Sequence, residues 1–210
     1  MNYHLLVTCE ILLTIVAPLI VFYRRGNWPT RTTTWCLLTI PILWYPTYAP
    51  VHELSHAAAT YMAGGTVVYM KLIPSFWLGQ FGRAWITQEG ITQDWQILIS
   101  TAAPYLLDLV TAAAGLLILR RGLSRRAFTI GFLFMLLCLR PAFDFLCETI
   151  GFVLGDRGDI YHIHAIIGSG WTWTFILFSA GLILYTIVIV LRRFVGFPGT
   201  SVDQPEAIRE

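Results

Sequence analysis

The chain has 210 residues, of which 56% are hydrophobic and 12% are charged, and its formal net charge is +2. A soluble domain carries about 25% charged residues, so this deficit, together with a mean hydropathy of +0.66, indicates an integral membrane protein. The positive charge is small and confined to short arginine clusters, so we expect no nucleic acid partner. The cysteines lie in apolar segments without CxxC spacing and are expected to be buried hydrophobes, not a disulfide or zinc framework.

We predict an all-α polytopic fold with about five transmembrane helices, forming a single integral membrane domain over residues 1–195 and ending in a polar cytoplasmic tail, 196–210. The predicted spans are, in chain order, residues 3–23, 34–63, 95–119, 127–154 and 160–191. The first is expected to be a retained anchor, because no basic residue precedes it and no cleavage-site pattern follows it. The second is long and contains Pro41, Pro46 and Pro50, so we expect it to be tilted, kinked or broken.

The arginine clusters agree with five spans. They fall in alternate connections and after the last span: Arg24, Arg25 and Arg31; Arg120, Arg121, Arg125 and Arg126; and Arg192, Arg193 and Arg209. The other connections contain only Lys71, Arg83 and Arg157. Because basic residues favour the cytoplasmic side, we predict that the N-terminus is outside and the C-terminus is cytoplasmic. The absence of a transit-peptide pattern favours a bacterial cell membrane.

Residues 64–90, between the second and third spans, have a different character. They alternate, are rich in β-branched and aromatic residues, and are broken by glycine and proline. This pattern predicts a hairpin or a re-entrant β segment at the outer membrane surface. Such backbone is tolerated at membrane depth only against protein or a wet cavity.

The second predicted span carries His52-Glu53-Leu54-Ser55-His56, which fits the pattern H-E-x-x-H. On a helix, positions i and i+4 share a face, so both imidazoles can bind one metal ion. Glu53 is then the candidate general base that activates a metal-bound water. The alternative is a polar knot that joins helices, but each interhelical hydrogen bond is worth only about 0.6 kcal/mol. Ionisable residues in a membrane more often mark a functional site, so we favour metal binding.

A zinc hydrolase has three protein ligands, so a third is needed beside His52 and His56. In straight helices, His52 lies ~27 Å and Asp144 ~26 Å from the cytoplasmic ends of their spans. Asp108 lies nearer the cytoplasm and fits less well. We therefore predict that Asp144 is the third ligand.

Other polar residues are weaker candidates. Arg140 and Glu148 share a helical face with Asp144, and one of them is expected to orient it; the alternative is a buried, self-neutralising pair of Arg140 with Asp144 or Glu148. Pro104 and Tyr105 can line a wet cavity or bind substrate, although a plain proline kink explains Pro104 equally well.

The outer connection before the last span is also polar. Its sequence GDRGD contains Asp156 and Asp159, which we expect to be solvated without a special role. His162 and His164 open the last span as reserve ligands, but their spacing sends them to opposite helix faces, so we expect them at the interface.

The order of these features resembles the site-2-type intramembrane zinc metalloproteases. A span with HELSH, a glycine-rich β-like segment, a proline-bearing span and a span with an intramembrane aspartate follow one another over residues 50–151. The site residues that the resemblance implies are His52, His56 and Asp144 for zinc and Glu53 for the general base. It also implies a membrane-embedded protein or peptide substrate that binds as an extended strand along residues 66–87 and is cut within the bilayer.

The leading hypothesis is therefore an intramembrane zinc metalloprotease. A second is a non-catalytic membrane scaffold or transporter subunit that uses the polar cluster for packing or ion passage. A third is a zinc hydrolase that acts on lipid or on a prenylated peptide.

Overall fold

The structure, a computed structural model, describes residues 3–26, 28–74, 84–121 and 126–195. Within these ranges 82% of the residues are helical, and a two-stranded sheet is the remaining regular structure. The elements are α1 (Tyr3–Ile11), α2 (Ala17–Arg25), α3 (Thr30–Met62), β1 (Thr66–Lys71), β2 (Trp85–Glu89), α4 (Asp94–Arg120), α5 (Ala127–Phe134), α6 (Arg140–Val153) and α7 (Asp159–Val195). A helical membrane protein is thus confirmed as the general class, while the predicted tail, 196–210, lies outside the described residues.

Four helical segments in the described ranges are long and apolar enough to cross a membrane. They are Leu5–Arg25, Asp94–Arg120, Ala127–Val153 and Asp159–Arg193. The second predicted span is absent from this set, although α3 has 33 residues and would reach about 50 Å if straight. Its threonines, Arg31 and the H-E-x-x-H motif lower its hydropathy. The count of five spans therefore stays a prediction.

The prolines of α3 lie within one continuous helix, so the predicted second span is not broken. Regular α geometry is interrupted at three other places in the described helices. A π turn at Leu12–Val16 joins α1 to α2, and another at Met135–Leu139 joins α5 to α6. In α7, Gly168 has φ 78° and ψ 170°, which only glycine adopts easily. Because a π turn adds one residue to a helical turn, it changes which side chains face the interior after it.

Two buried clusters hold the helices together. The larger one joins α2, α3, α5 and α6 and includes Phe22, Ile40 and Phe134. The smaller one joins α4, α6 and α7 around Tyr105 and Ile163. Large apolar side chains also cover the outside of the bundle, as lipid contact requires: Leu13 is 69% exposed, Ile42 71% and Leu177 69%.

Of the predicted hairpin or re-entrant β segment, the antiparallel pairing of two strands is confirmed, while residues 75–83 between them lie outside the described residues. β1 and β2 pair antiparallel, with Thr66 opposite Glu89 and Lys71 opposite Trp85, and the register shifts at Val68. Gly64, at φ 85°, turns the chain from the end of α3 into β1. Gln88 attaches the hairpin to the helices, since its Oε1 accepts hydrogen bonds from Thr60 Oγ1 at 2.6 Å and Ser100 Oγ at 2.7 Å.

Candidate metal site

His52 and His56 lie one turn apart on α3 and face the same region of the interior. His56 is 5% exposed, and the Nε2 atoms of the two rings are 3.0 Å apart. The prediction that the two imidazoles share a helical face is therefore confirmed.

In both rings the Nδ1 atom has a hydrogen-bond partner. Nδ1 of His56 lies 2.8 Å from the carbonyl oxygen of Ser100, and Nδ1 of His52 lies 2.9 Å from Asp144 Oδ2. A carbonyl or an ionised carboxylate can only accept, so both Nδ1 atoms carry the proton. In a neutral imidazole, Nε2 is then unprotonated and carries a lone pair. This is the tautomer that can bind a metal ion through Nε2.

Pro104 explains why the Ser100 carbonyl is available to His56. In a regular helix this carbonyl would accept the N–H of the residue four positions later, and that residue is Pro104, which has no N–H. Pro104 thus has a structural role beside the site, because it frees the Ser100 carbonyl to accept a hydrogen bond from His56 Nδ1.

Asp159 completes the cluster. Its Oδ2 lies 3.2 Å from Nε2 of His52 and 2.9 Å from Nε2 of His56, and the three residues together form a group that can hold a metal ion. Ligand atoms of a tetrahedral zinc ion, with bonds of 2.0–2.1 Å, lie about 3.3 Å apart. Three acceptor atoms this close repel one another unless a cation or a proton lies between them. Spacing and chemistry therefore both fit a metal ion.

The expectation that Asp159 is a solvated loop residue is wrong. Asp159 is the first residue of α7, and its carboxylate accepts a hydrogen bond from Tyr105 Oη at 3.0 Å. Its backbone N–H donates to Glu148 Oε2 at 3.1 Å. Tyr105 and Glu148, which were weak predictions, therefore both contact this aspartate. An acidic residue at the start of a helix is common for electrostatic reasons alone, so the sequence carried no distinctive signal.

Asp144 meets His52, as the matching depths of the two spans predicted, but at Nδ1 and not at Nε2. It is not a member of the metal-capable group found among the described residues. When a ligating histidine donates its other ring N–H to a carboxylate, that hydrogen bond fixes the orientation of the ring and raises its basicity. In this arrangement Asp144 is therefore an orienting partner of His52.

Arg140 has Asp108 as its main partner. Its Nη2 lies 2.7 Å from Asp108 Oδ1, whereas its Nη1 lies 3.8 Å from Asp144 Oδ2, and both Arg140 and Asp108 are almost fully buried. Arg140 also donates to Thr111 Oγ1 at 3.3 Å. The predicted ion pair on α6 therefore extends to α4, and it joins the two helices behind Asp144.

Glu53 lies in the wall of a cavity of about 290 Å³. His52, Asp144 and Glu148 line the same cavity. The candidate base and one candidate ligand thus border a single, partly open cavity, which is large enough for a side chain and water.

The reserve histidines lie apart from the cluster. His162 is exposed, and the ring of His164 packs 5.4 Å from that of Phe152. Neither belongs to the metal-capable group of the described residues.

No protein-family model matches the chain, and neither the curated proteins nor the solved structures gave a match. The likeness to site-2-type proteases therefore depends only on the residues of this chain.

Proposed function

We propose that the chain is an intramembrane zinc metalloprotease of site-2 type, which hydrolyses peptide bonds of membrane-embedded proteins or peptides. The observation that supports this most is the convergence of His52 Nε2, His56 Nε2 and Asp159 Oδ2. In the proposal, Asp159 replaces Asp144 as the third ligand, and Asp144 orients His52.

The chain's own residues supply the remaining requirements. When bound, a zinc ion would activate water and polarise the scissile carbonyl. Glu53, in the wall of the cavity, accepts a proton from the attacking water and returns it to the leaving amine. Asp144 and the Ser100 carbonyl hold the imidazoles of His52 and His56 in the tautomer whose Nε2 faces the site.

The proposal includes five spans, with α3 as the second. Trp35, Leu38 and Ile42 on the first half of α3 are 61%, 57% and 71% exposed, which gives that half an apolar outer face suited to lipid. The arginine clusters then favour an outer N-terminus and a cytoplasmic C-terminus.

The proposal is tested with purified protein reconstituted in lipid nanodiscs and a panel of single-span peptides. We expect about one zinc ion per chain, and cleavage that stops with 1,10-phenanthroline and returns with zinc. His56→Ala should lose both the metal and cleavage, whereas His164→Ala, outside the cluster, should retain both. Wild-type protein without stoichiometric metal would overturn the proposal.

Tyr105→Phe is expected to lower zinc affinity about 10- to 100-fold, because Asp159 loses a hydrogen-bond donor while the buried ring remains. Competition with a chromogenic chelator measures the affinity. The matched control is Tyr23→Phe, which removes an equally buried hydroxyl that donates to the Ala127 carbonyl at 2.9 Å, far from the cluster. Equal zinc affinity in the two variants would contradict a supporting role for Tyr105.

A non-catalytic scaffold or transporter subunit is the alternative, and one observation favours it. The buried pair of Arg140 and Asp108 joins α4 to α6 without needing a metal ion. In that case the histidine cluster would only add further polar contacts between helices, and its removal would destabilise the protein without affecting any hydrolysis.

A further inference from the structure

Glu10, on α1, is a buried carboxylate without a positive partner among the described residues. It is 4% exposed, and its Oε2 accepts a hydrogen bond from the Cys147 thiol at 2.9 Å. Its Oε1 is buried and has no hydrogen-bond partner in the described part of the chain. A carboxylate oxygen left this way in an apolar span is costly, so a donor from outside the chain would stabilise it.

Glu10 also lines the cavity that contains Glu53 and His52, at the side formed by α1 and α6. The wall of this cavity is mainly acidic: its described residues include Glu10, Glu53, Asp144, Glu148 and Asp156, one histidine, His52, and no lysine or arginine. Arg140, the nearby cation, is occupied by Asp108. The cavity therefore attracts positive charge and repels anionic ligands.

A second metal ion is a poor occupant for this end of the cavity, because Glu10 is not part of the metal-capable group formed by His52, His56 and Asp159. A single carboxylate with one oxygen that lacks a hydrogen bond can instead bind a positively charged hydrogen-bond donor. An ammonium or a guanidinium is such a donor, and it would form a charge-assisted hydrogen bond with the Glu10 carboxylate.

We propose that Glu10 is a specificity residue that binds a lysine or arginine side chain of the substrate. This inference rests on the proposed peptidase function, since it places the basic side chain in the same cavity as Glu53. The enzyme would then prefer membrane peptides with a basic residue close to the cut bond.

The test measures binding without turnover, in Glu53→Gln protein held in neutral-lipid nanodiscs. The probes are dansyl-labelled apolar peptides with blocked ends that differ at one central position: lysine, arginine, norleucine or glutamate. We expect lysine and arginine peptides to bind about 10-fold or more tightly than the norleucine peptide, as a charge-assisted hydrogen bond implies. Adding Glu10→Gln should reduce this preference to within about twofold, whereas Glu89→Gln, an exposed glutamate on β2, should preserve it.

A second measurement locates the ligand while Glu10 stays intact. In protein whose other cysteines are alanine, the lysine peptide should slow alkylation of Cys147, because Cys147 lines the same cavity. Equal affinity for lysine and norleucine peptides, or a preference that persists in Glu10→Gln, would overturn the proposal. Tighter binding of a norleucine peptide with a free α-amine than of the blocked lysine peptide would also overturn it.

The outcome is separable from that of the proposed function. Binding is read both with EDTA and with zinc, and cleavage is read with wild-type protein. A Glu10-dependent preference in protein that neither holds zinc nor cleaves would refute the peptidase and leave a cation-binding cavity. Cleavage with no dependence on a basic residue would refute the specificity and leave the peptidase.

Discussion

Asp159→Asn is expected to abolish stoichiometric zinc binding, whereas Asp144→Asn should only weaken it. Asp159 Oδ2 lies within 3.2 Å of both Nε2 atoms, so its replacement removes one of the three converging candidate ligand atoms. Asp144 contacts Nδ1 of His52 at 2.9 Å, and loss of such an outer partner lowers metal affinity about 10- to 100-fold. Elemental analysis of the purified variants gives the stoichiometry, and chelator competition gives the affinity.

The control for this comparison is Asp156→Asn, which changes an exposed aspartate in the connection that precedes Asp159. It should bind zinc as wild type does. The reverse pattern, with metal lost in Asp144→Asn and kept in Asp159→Asn, would restore Asp144 as the third ligand and refute Asp159.

Local periodicity and helix rise were sufficient to predict part of this site. His52 and His56 share a face because four residues make about one helical turn. Counting residues inward from the predicted cytoplasmic ends of two spans gave His52 and Asp144 matching depths, and the structure places these side chains 2.9 Å apart. The first inference used only local helix geometry, whereas the second also used the span order that the arginine clusters indicate.

The identity of the coordinating group was beyond such reasoning. Which imidazole nitrogen faces inward depends on Asp144 from α6 and on a carbonyl of α4 that Pro104 leaves free. The position of Asp159 depends on the connection between α6 and α7, which places the start of α7 in contact with Glu148 on α6. These contacts join residues far apart in sequence, so neither composition nor periodicity reveals them.

The β segment shows the same division. Alternation and glycine predicted a hairpin or a re-entrant β segment, and β1 and β2 do pair antiparallel. The attachment of Gln88 to Thr60 and Ser100 was not predicted, although Ser100 also supplies the acceptor for His56. The hairpin therefore reaches the candidate site through two hydrogen-bonded residues of α3 and α4.

Glu53→Gln is expected to reduce peptide cleavage about 10²- to 10⁴-fold while leaving zinc stoichiometry and thermal stability close to wild type. The amide has nearly the shape of the carboxylate, but it cannot accept the proton of the attacking water. Glu53 lies in the cavity wall and is not one of the three converging residues, so the metal should remain. Initial cleavage rates, bound zinc and the unfolding midpoint are measured on the same nanodisc preparations.

Glu148→Gln is the matched control, because Glu148 lines the same cavity and undergoes the same chemical change. Its amide oxygen can still accept the backbone N–H of Asp159, so cleavage should fall less than about 10-fold. Cleavage that survives in Glu53→Gln would refute Glu53 as the base. If Glu53→Gln instead lowers the unfolding midpoint and wild-type protein shows no cleavage, the polar cluster serves to pack helices, and the scaffold hypothesis explains the histidines better than the enzyme does.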